Sequence, residues 1–295
     1  MGEKKEVKYL KLRYRLSFLD KPYYGNPPAF VFRSVLGLSL RKLTCVLRQE
    51  ESCSSCMVKT SCVYSTFFET NVDKNLNSLS GRDKATHPFV LDIIEAFDDH
   101  AIIEITFIGR ARNYIPYVNL ALENAGKKGI GKNRARFSIV DIMVGDEKFY
   151  SSLEQIEEHS LIWPLSDCLI PKQLLLETPC RIKEGGRYIS DLNLWILLKN
   201  MQRRMQVLEE LFGEGEAIPV VDSISEITEN ITLKWVEKRY YSSRQKTVMR
   251  LGGVIGSMDI KGDFDSSIIS YIDAMALFHV GKNISFGFGK IKVVY

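Results

Sequence analysis

No stretch of this sequence approaches the roughly 20 consecutive apolar residues that cross a bilayer. The opening MGEKKEVKYL also lacks the apolar core of a secretory signal. A cytoplasmic protein with no membrane partner is therefore expected. Histidine is scarce: His87, His100, His159 and His279 are the four in 295 residues. A strong charge of one sign is missing too, since the formal net charge is +4, too little by itself to establish a nucleic-acid partner. What is present, 45% apolar and 26% charged residues, suffices for one large core or two modest ones.

The basic residues are concentrated. GKKGIGKNRAR (residues 126–136) carries five basic and no acidic residues, and KWVEKRYYSSRQKTVMR (residues 234–250) carries six basic and one acidic. The rest of the chain is consequently acidic. Phe137, Tyr240 and Tyr241 lie in or beside these runs, and unpaired bases stack on such rings. A polyanion-binding surface is the functional reading, and ordinary solvation of charge runs is the alternative. By the period of two, Arg134 and Arg136 are expected on one face of a strand, with Phe137 turned inward.

KYLKLRYRLSF alternates, setting Leu10, Leu12, Tyr14, Leu16 and Phe18 on one face and Lys11, Arg13 and Arg15 on the other. After the turn residues Pro22, Gly25, Asn26, Pro27 and Pro28 comes a helical stripe of Phe32, Val35, Leu36, Leu40, Leu43 and Leu47. THPFVLDIIEAF and AIIEITFIG read as a hairpin, Ile115 to Asn124 as a helix, and ARFSIVDIMVG as a strand. That order is ferredoxin-like, or RNA-recognition-like.

Residues 145–179 read as a connector, after which the order repeats. TPCRIKEGGRYIS reads as a strand and turn, and DLNLWILLKNMQRRMQVLEELFG as a helix capped by Asp191. Two strands, the helix SSIISYIDAMALFHV and the strand FGKIKVVY follow. The fold class expected is α+β, with tandem ferredoxin-like domains over residues 1–145 and 146–295 and a cysteine-rich insert at about 45–70 in the first.

That insert, CVLRQEESCSSCMVKTSC, brings Cys45, Cys53, Cys56 and Cys62 within eighteen residues. In a cytoplasmic protein structural disulfides are not expected. Four thiolates suit structural zinc, with an iron–sulfur cluster second and a metal-free thiol cluster third. Cys168 and Cys180 read as isolated buried thiols.

HVGKNISFGFGKIKV (residues 279–293) is a glycine-rich loop between a helix and a strand. Together with RYYSSRQKTVMRLGGVIGSMDIKGDF, it resembles the C-terminal half of the CRISPR repeat-processing endoribonucleases of the RAMP superfamily. The resemblance is close over roughly residues 231–295, and FRSVLGLSLRKLTCV resembles the N-terminal half more loosely. It implies paired ferredoxin-like folds and a loop, with Gly281, Lys282, Gly287 and Gly289, that grips repeat RNA. It further implies cleavage of precursor CRISPR RNA by the ribose 2′-hydroxyl, leaving a 2′,3′-cyclic phosphate and a 5′-hydroxyl, with no cofactor for catalysis. CRISPR RNA and subunits of a CRISPR effector complex are the partners it implies.

Such chemistry asks for a base, an acid and a cation at the developing phosphorane. His279 adjoins the loop and is the histidine assigned to proton transfer, although its helical spacing from Ile268, Ile272 and Met275 also fits a core residue. Relatives place a catalytic histidine in or just after the first helix. Residues 30–51 here contain none, which leaves Tyr23, Tyr24, Arg41 and Lys42 as polar candidates, Tyr24 and Lys42 for catalysis and Arg41 for RNA. Phosphate contacts fall to Lys132, Arg134, Arg136, Arg239, Arg244, Lys246 and Arg250. Two other readings compete: a non-catalytic RAMP subunit that only holds guide RNA, and a zinc-dependent protein whose cysteine insert contacts nucleic acid.

Overall fold

A computed structural model describes residues 5–47, 53–70, 85–144, 148–149, 159–163, 169–215, 217–224, 227–242 and 247–295. Tyr9–His159 form one compact unit; Ser160–Tyr295 with Met1–Lys8 form the other.

Strand β1 (Lys5–Phe18) enters the first unit at Tyr9, and its alternation fixes which face is buried. Leu10, Leu12, Tyr14 and Leu16 are at most 4% exposed and join Phe32, Leu36, Leu40, Val118 and Leu122 in one core. The Tyr14 hydroxyl is satisfied inside it, donating to Asn119 Oδ1 at 2.7 Å. On the other face Lys11 and Arg13 pair with Glu104, and Arg15 with Asp141.

Helix α1 (Pro28–Thr44) starts at a proline, tolerated there because the first turn has no partner for its missing N–H. It ends before Leu47, so the predicted stripe is cut short, and Leu43 is exposed. Then come β2 (Phe89–Ala96), β3 (His100–Ile108), α2 (Ile115–Lys128) and β4 (Phe137–Val144). The sheet runs β2-β3-β1-β4, all antiparallel, the ferredoxin-like order. The short β5 (Lys148–Phe149) extends it beside β4, and β6 (His159–Trp163) pairs with β1. Between α1 and β2, Val63, Tyr64, Phe67 and Phe68 are buried in this core.

The second unit repeats the plan with β7 (Gln173–Cys180), α3 (Leu194–Phe212), β10 (Thr228–Ser242), β11 (Thr247–Lys261), α4 (Ser266–Phe278) and β12 (Ile291–Val294). The order is β10-β11-β7-β12. A two-residue hairpin, β8 (Lys183–Glu184) and β9 (Arg187–Tyr188), is inserted after β7 and turns on Gly185 and Gly186, both at positive φ.

Two sequence expectations change here. Most of β7 lies in the stretch read as a connector: it is the central strand, paired on both sides, and LLLE shows no clean alternation. The cap of α3 is Asn193, whose Oδ1 accepts from Ile196 N at 2.8 Å, and Asp191 stands two residues too early.

Strands β10 and β11 pair from Thr228 opposite Lys261 to Ser242 opposite Thr247, but β7 supports β11 only between Val254 and Asp259. Beyond Lys238 and Leu251 the pair continues as a two-stranded ribbon.

Candidate nucleic-acid interface

Helix α4 stops at Phe278 because the next residue, His279, turns to φ +58. The chain then runs through Val280 to Gly289, closed at its neck where Val280 N donates to Gly289 O and Gly289 N to Pro179 O. Any side chain at Gly289 would place its Cβ 1.9 Å from the Val280 carbonyl oxygen, so the glycine is a steric requirement. The loop is anchored on two further sides. Gly281 N donates to Asn200 Oδ1 of α3, and Lys282 N donates to the Arg181 carbonyl. Lys282 is exposed, Gly281 half-buried, and Gly287 and Gly289 are buried. The result is a preformed loop with one cation turned outward.

His279 is 1% exposed, and its Nδ1 lies 3.0 Å from the Phe288 carbonyl within the same loop. Its ring thus braces the loop from beneath, in a position that solvent does not reach.

The ribbon abuts the loop. Tyr240 is buried edge-on against Phe286, with centroids 5.7 Å apart, while Tyr241 and Trp235 are exposed. Arg239 and Arg250 stand directly opposite each other on the ladder and both are exposed. Like charges so placed repel, which makes the pair a doubled positive charge available to an anion; Glu237 offsets part of it, 3.8 Å from Arg250. Arg244 and Lys246 lie outside the described residues.

In the other unit, the run at 126–136 folds as a loop locked to the segment before α1. Lys132 N donates to Tyr23 O, Tyr23 N to Asn133 Oδ1, and Asn133 Nδ2 to Lys21 O. Lys132, Arg134 and Arg136 are exposed; the Lys132 ammonium lies 5.2 Å from the Tyr23 ring centroid, and Arg136 lies 3.7 Å from Asp20. Arg134 is not in a strand as its spacing predicts. It sits in a turn at φ +52, between the bridged residues Ile130 and Ala135, and β4 begins only at Phe137.

Tyr24 and Lys42 flank α1 at opposite ends. At about 1.5 Å per residue the 17-residue helix is roughly 25 Å long, so the two cannot meet on one phosphate. The Tyr24 hydroxyl is shielded and without a hydrogen-bond partner among the described residues. Burial, reinforced by Asp98, pushes its pKa up to about 12 and keeps it protonated. Lys42 is exposed in the last turn of α1; Arg41 beside it lies 5.6 Å from the Tyr64 ring centroid.

The zinc or iron–sulfur expectation finds no support among the described residues. Among the described residues no three His, Cys, Asp or Glu side chains are grouped to hold a metal ion. Cys45, Cys53, Cys56 and Cys62 are free thiols, and Cys53 and Cys62 pack against the apolar core. Burial raises the Cys53 thiol, Glu69 adds to this, and Cys62 and Cys45 are close enough to contribute while Arg41 opposes them. Of the other thiols, Cys180 is buried and Cys168 lies outside the described residues.

Two residues near the loop carry no sequence motif. Arg181, just past β7, is 8% exposed; its guanidinium lies 3.8 Å from the Tyr188 ring centroid, and Tyr188 is 41% exposed.

Residues 174–291 match the model of the family described as CRISPR-associated endoribonuclease Cas6, and residues 7–161 match a model described as an N-terminal domain. No curated protein matches the sequence significantly. Among solved structures, a Cas6 product complex is similar at a TM-score of 0.56 and 12% identity, over 97% of this chain and 99% of that one. A Thermus thermophilus Cas6 gives 0.54 and 10%, over 98% and 99%. A partial Cas6-RT-Cas1–Cas2 complex gives 0.54 and 14%, over 98% of this chain and 46% of that one. At these identities the structural likeness establishes the shared fold of two ferredoxin-like units, and the second unit, over residues 174–291, matches the family of the CRISPR-associated endoribonuclease Cas6.

Proposed function

We propose that the chain binds precursor CRISPR RNA and cuts it within each repeat, using the 2′-hydroxyl of the scissile nucleotide as nucleophile. The products are a 2′,3′-cyclic phosphate and a 5′-hydroxyl, and no metal takes part. The observation that carries this reading is the loop from Val280 to Gly289, closed by its own backbone hydrogen bonds, in the unit that matches the family model. A loop whose backbone needs no rearrangement can grip RNA without the ordering cost that weakens flexible sites.

Lys282, Arg239 and Arg250 contact phosphates in the second unit, and Arg244 and Lys246, outside the described residues, are assigned the same role from the basic run in the sequence. Lys132, Arg134, Arg136 and Arg41 contact phosphates in the first. Tyr23 is the stacking platform, being exposed and backed by a cation. Tyr24, held protonated, donates a hydrogen bond and is no base. Since it and Lys42 lie apart, at most one of them meets the scissile phosphate. His279 is a positioning residue that holds the loop.

The burial of His279 and the separation of Tyr24 from Lys42 favour a second reading, a subunit that holds CRISPR RNA inside an effector complex without cutting it. One experiment separates the two. Purified protein is incubated in excess EDTA with labelled repeat RNA, beside the same RNA carrying 2′-deoxyribose at the scissile nucleotide. Cleavage that the deoxy substitution abolishes supports the endonuclease; tight, salt-sensitive binding without a cut supports the holding subunit.

A further inference from the structure

Arg181 carries a structural contradiction. It is 92% removed from solvent, yet its Nε and Nη1 find no hydrogen-bond partner among the described residues. Buried guanidinium donors are ordinarily matched by a carboxylate or carbonyl, because unmet donors lose their water without compensation. Among the described residues, the group set against this guanidinium is the Tyr188 ring, at 3.8 Å. A ring face attracts the cation but accepts none of its in-plane N–H bonds.

The surroundings carry, among the described residues, three cations against one acid, Glu184, which is exposed opposite Arg187 on the hairpin. Lys183 approaches the same ring, with its ammonium 5.9 Å from the centroid. Lys183 and Arg187 are exposed on the hairpin, as is Lys282 on the loop. The backbone of Arg181 is also part of the loop's foundation: it bridges Gly281, and its carbonyl accepts from Lys282 N at 2.8 Å. A Cβ at Gly281 would come within 2.6 Å of that carbonyl oxygen, so the two segments are held in register.

We propose that Arg181 is a preset receptor for one phosphate of the bound RNA, its planar fork held under Tyr188 and aimed beside the glycine loop. The forked donors match two phosphate oxygens, which a lysine could meet only as a point charge. The stack on Tyr188 fixes the plane of the fork in advance. This assignment rests on the reading of the chain as a binder of repeat RNA and names one contact within it.

The test compares wild type with Arg181→Met, which keeps the unbranched stem under Tyr188, and Arg181→Lys, which keeps only the charge. Affinity for labelled repeat RNA is measured across a salt series, and thermal unfolding without RNA is recorded in parallel. Arg181→Met is expected to unfold no earlier than wild type, to bind RNA roughly tenfold more weakly, and to lower the slope of log K against log salt by about 1. Arg181→Lys should recover the slope but only part of the affinity. Neutral methylphosphonates placed along the RNA should reveal one position whose neutralisation weakens wild type and leaves Arg181→Met unchanged.

Wild-type affinity and slope in Arg181→Met would overturn the assignment, as would a methylphosphonate series in which every position costs both proteins alike. Those results leave the RNA-binding reading standing. Failure of wild type itself to bind repeat RNA would bring down that reading and, with it, this contact.

Discussion

His279 shows how far one residue's meaning depends on its surroundings. Its place beside a glycine loop reads as chemistry, yet its ring is closed off by the loop it supports. His279→Ala is expected to cost about 1–3 kcal/mol of stability through the lost internal hydrogen bond and to weaken RNA binding through the loosened loop, while the rate of cleavage at saturating RNA is kept. Thermal melts beside single-turnover cleavage check this, and a large loss of rate at full stability would return His279 to proton transfer. Asp273, which accepts from the Tyr295 hydroxyl, has its pKa raised by burial. The folded state therefore holds that proton more tightly than the unfolded one, and stability falls as pH rises from the ordinary carboxylate range through the raised value. Asp273→Asn should remove this slope from the stability curve, which urea titrations across acidic pH would register.

At the scale of elements, the legible ones carry their pattern in their own side chains. β1 alternates because one face lies on the helices, and it was readable at every residue from Leu10 to Phe18. Leu12→Ala should cost about 2–5 kcal/mol, seen as a fall in urea midpoint with unchanged slope. β7 hides its pattern by being central, and the cap at Asn193 is visible only once the first turn of α3 is fixed. Asn193→Ala is expected to cost about 1 kcal/mol by the same measurement, and Asp191→Ala almost nothing. Arg181 was illegible for another reason: its neighbours Tyr188 and Gly281 lie 7 and 100 positions away in sequence, and no periodicity marks a single arginine past a strand end. The cysteine spacing does bring Cys45 and Cys62 within electrostatic reach of Cys53, while Cys53 and Cys62 also pack on the apolar core. A chelator that lowers the melting temperature would show a metal held there, and an unchanged melt would show a metal-free thiol cluster.

Across the whole chain, the formal net charge of +4 understates the electrostatics, since the excess is carried by exposed residues of two loops and one ribbon. Arg239→Ala with Arg250→Ala should lower the salt slope of RNA binding by about 2 and weaken binding to unrelated RNA as much as to repeat RNA, because phosphate contacts carry no sequence. Equilibrium titrations with both RNAs check it. The tandem βαββαβ plan was readable from element order, with the first strand of the second unit placed too late in the chain. Its closing step has a kinetic consequence. In the second unit the central strand comes first and its partner β12 last, so contacts such as Lys290 N to Thr178 Oγ1 span 112 positions. Such distant pairings form late in folding and open among the earliest. The amides of Val280 and Gly289, which close the neck of the glycine loop only when β12 has docked, should exchange with deuterium ahead of those in the middle of β11, and bound RNA should slow them.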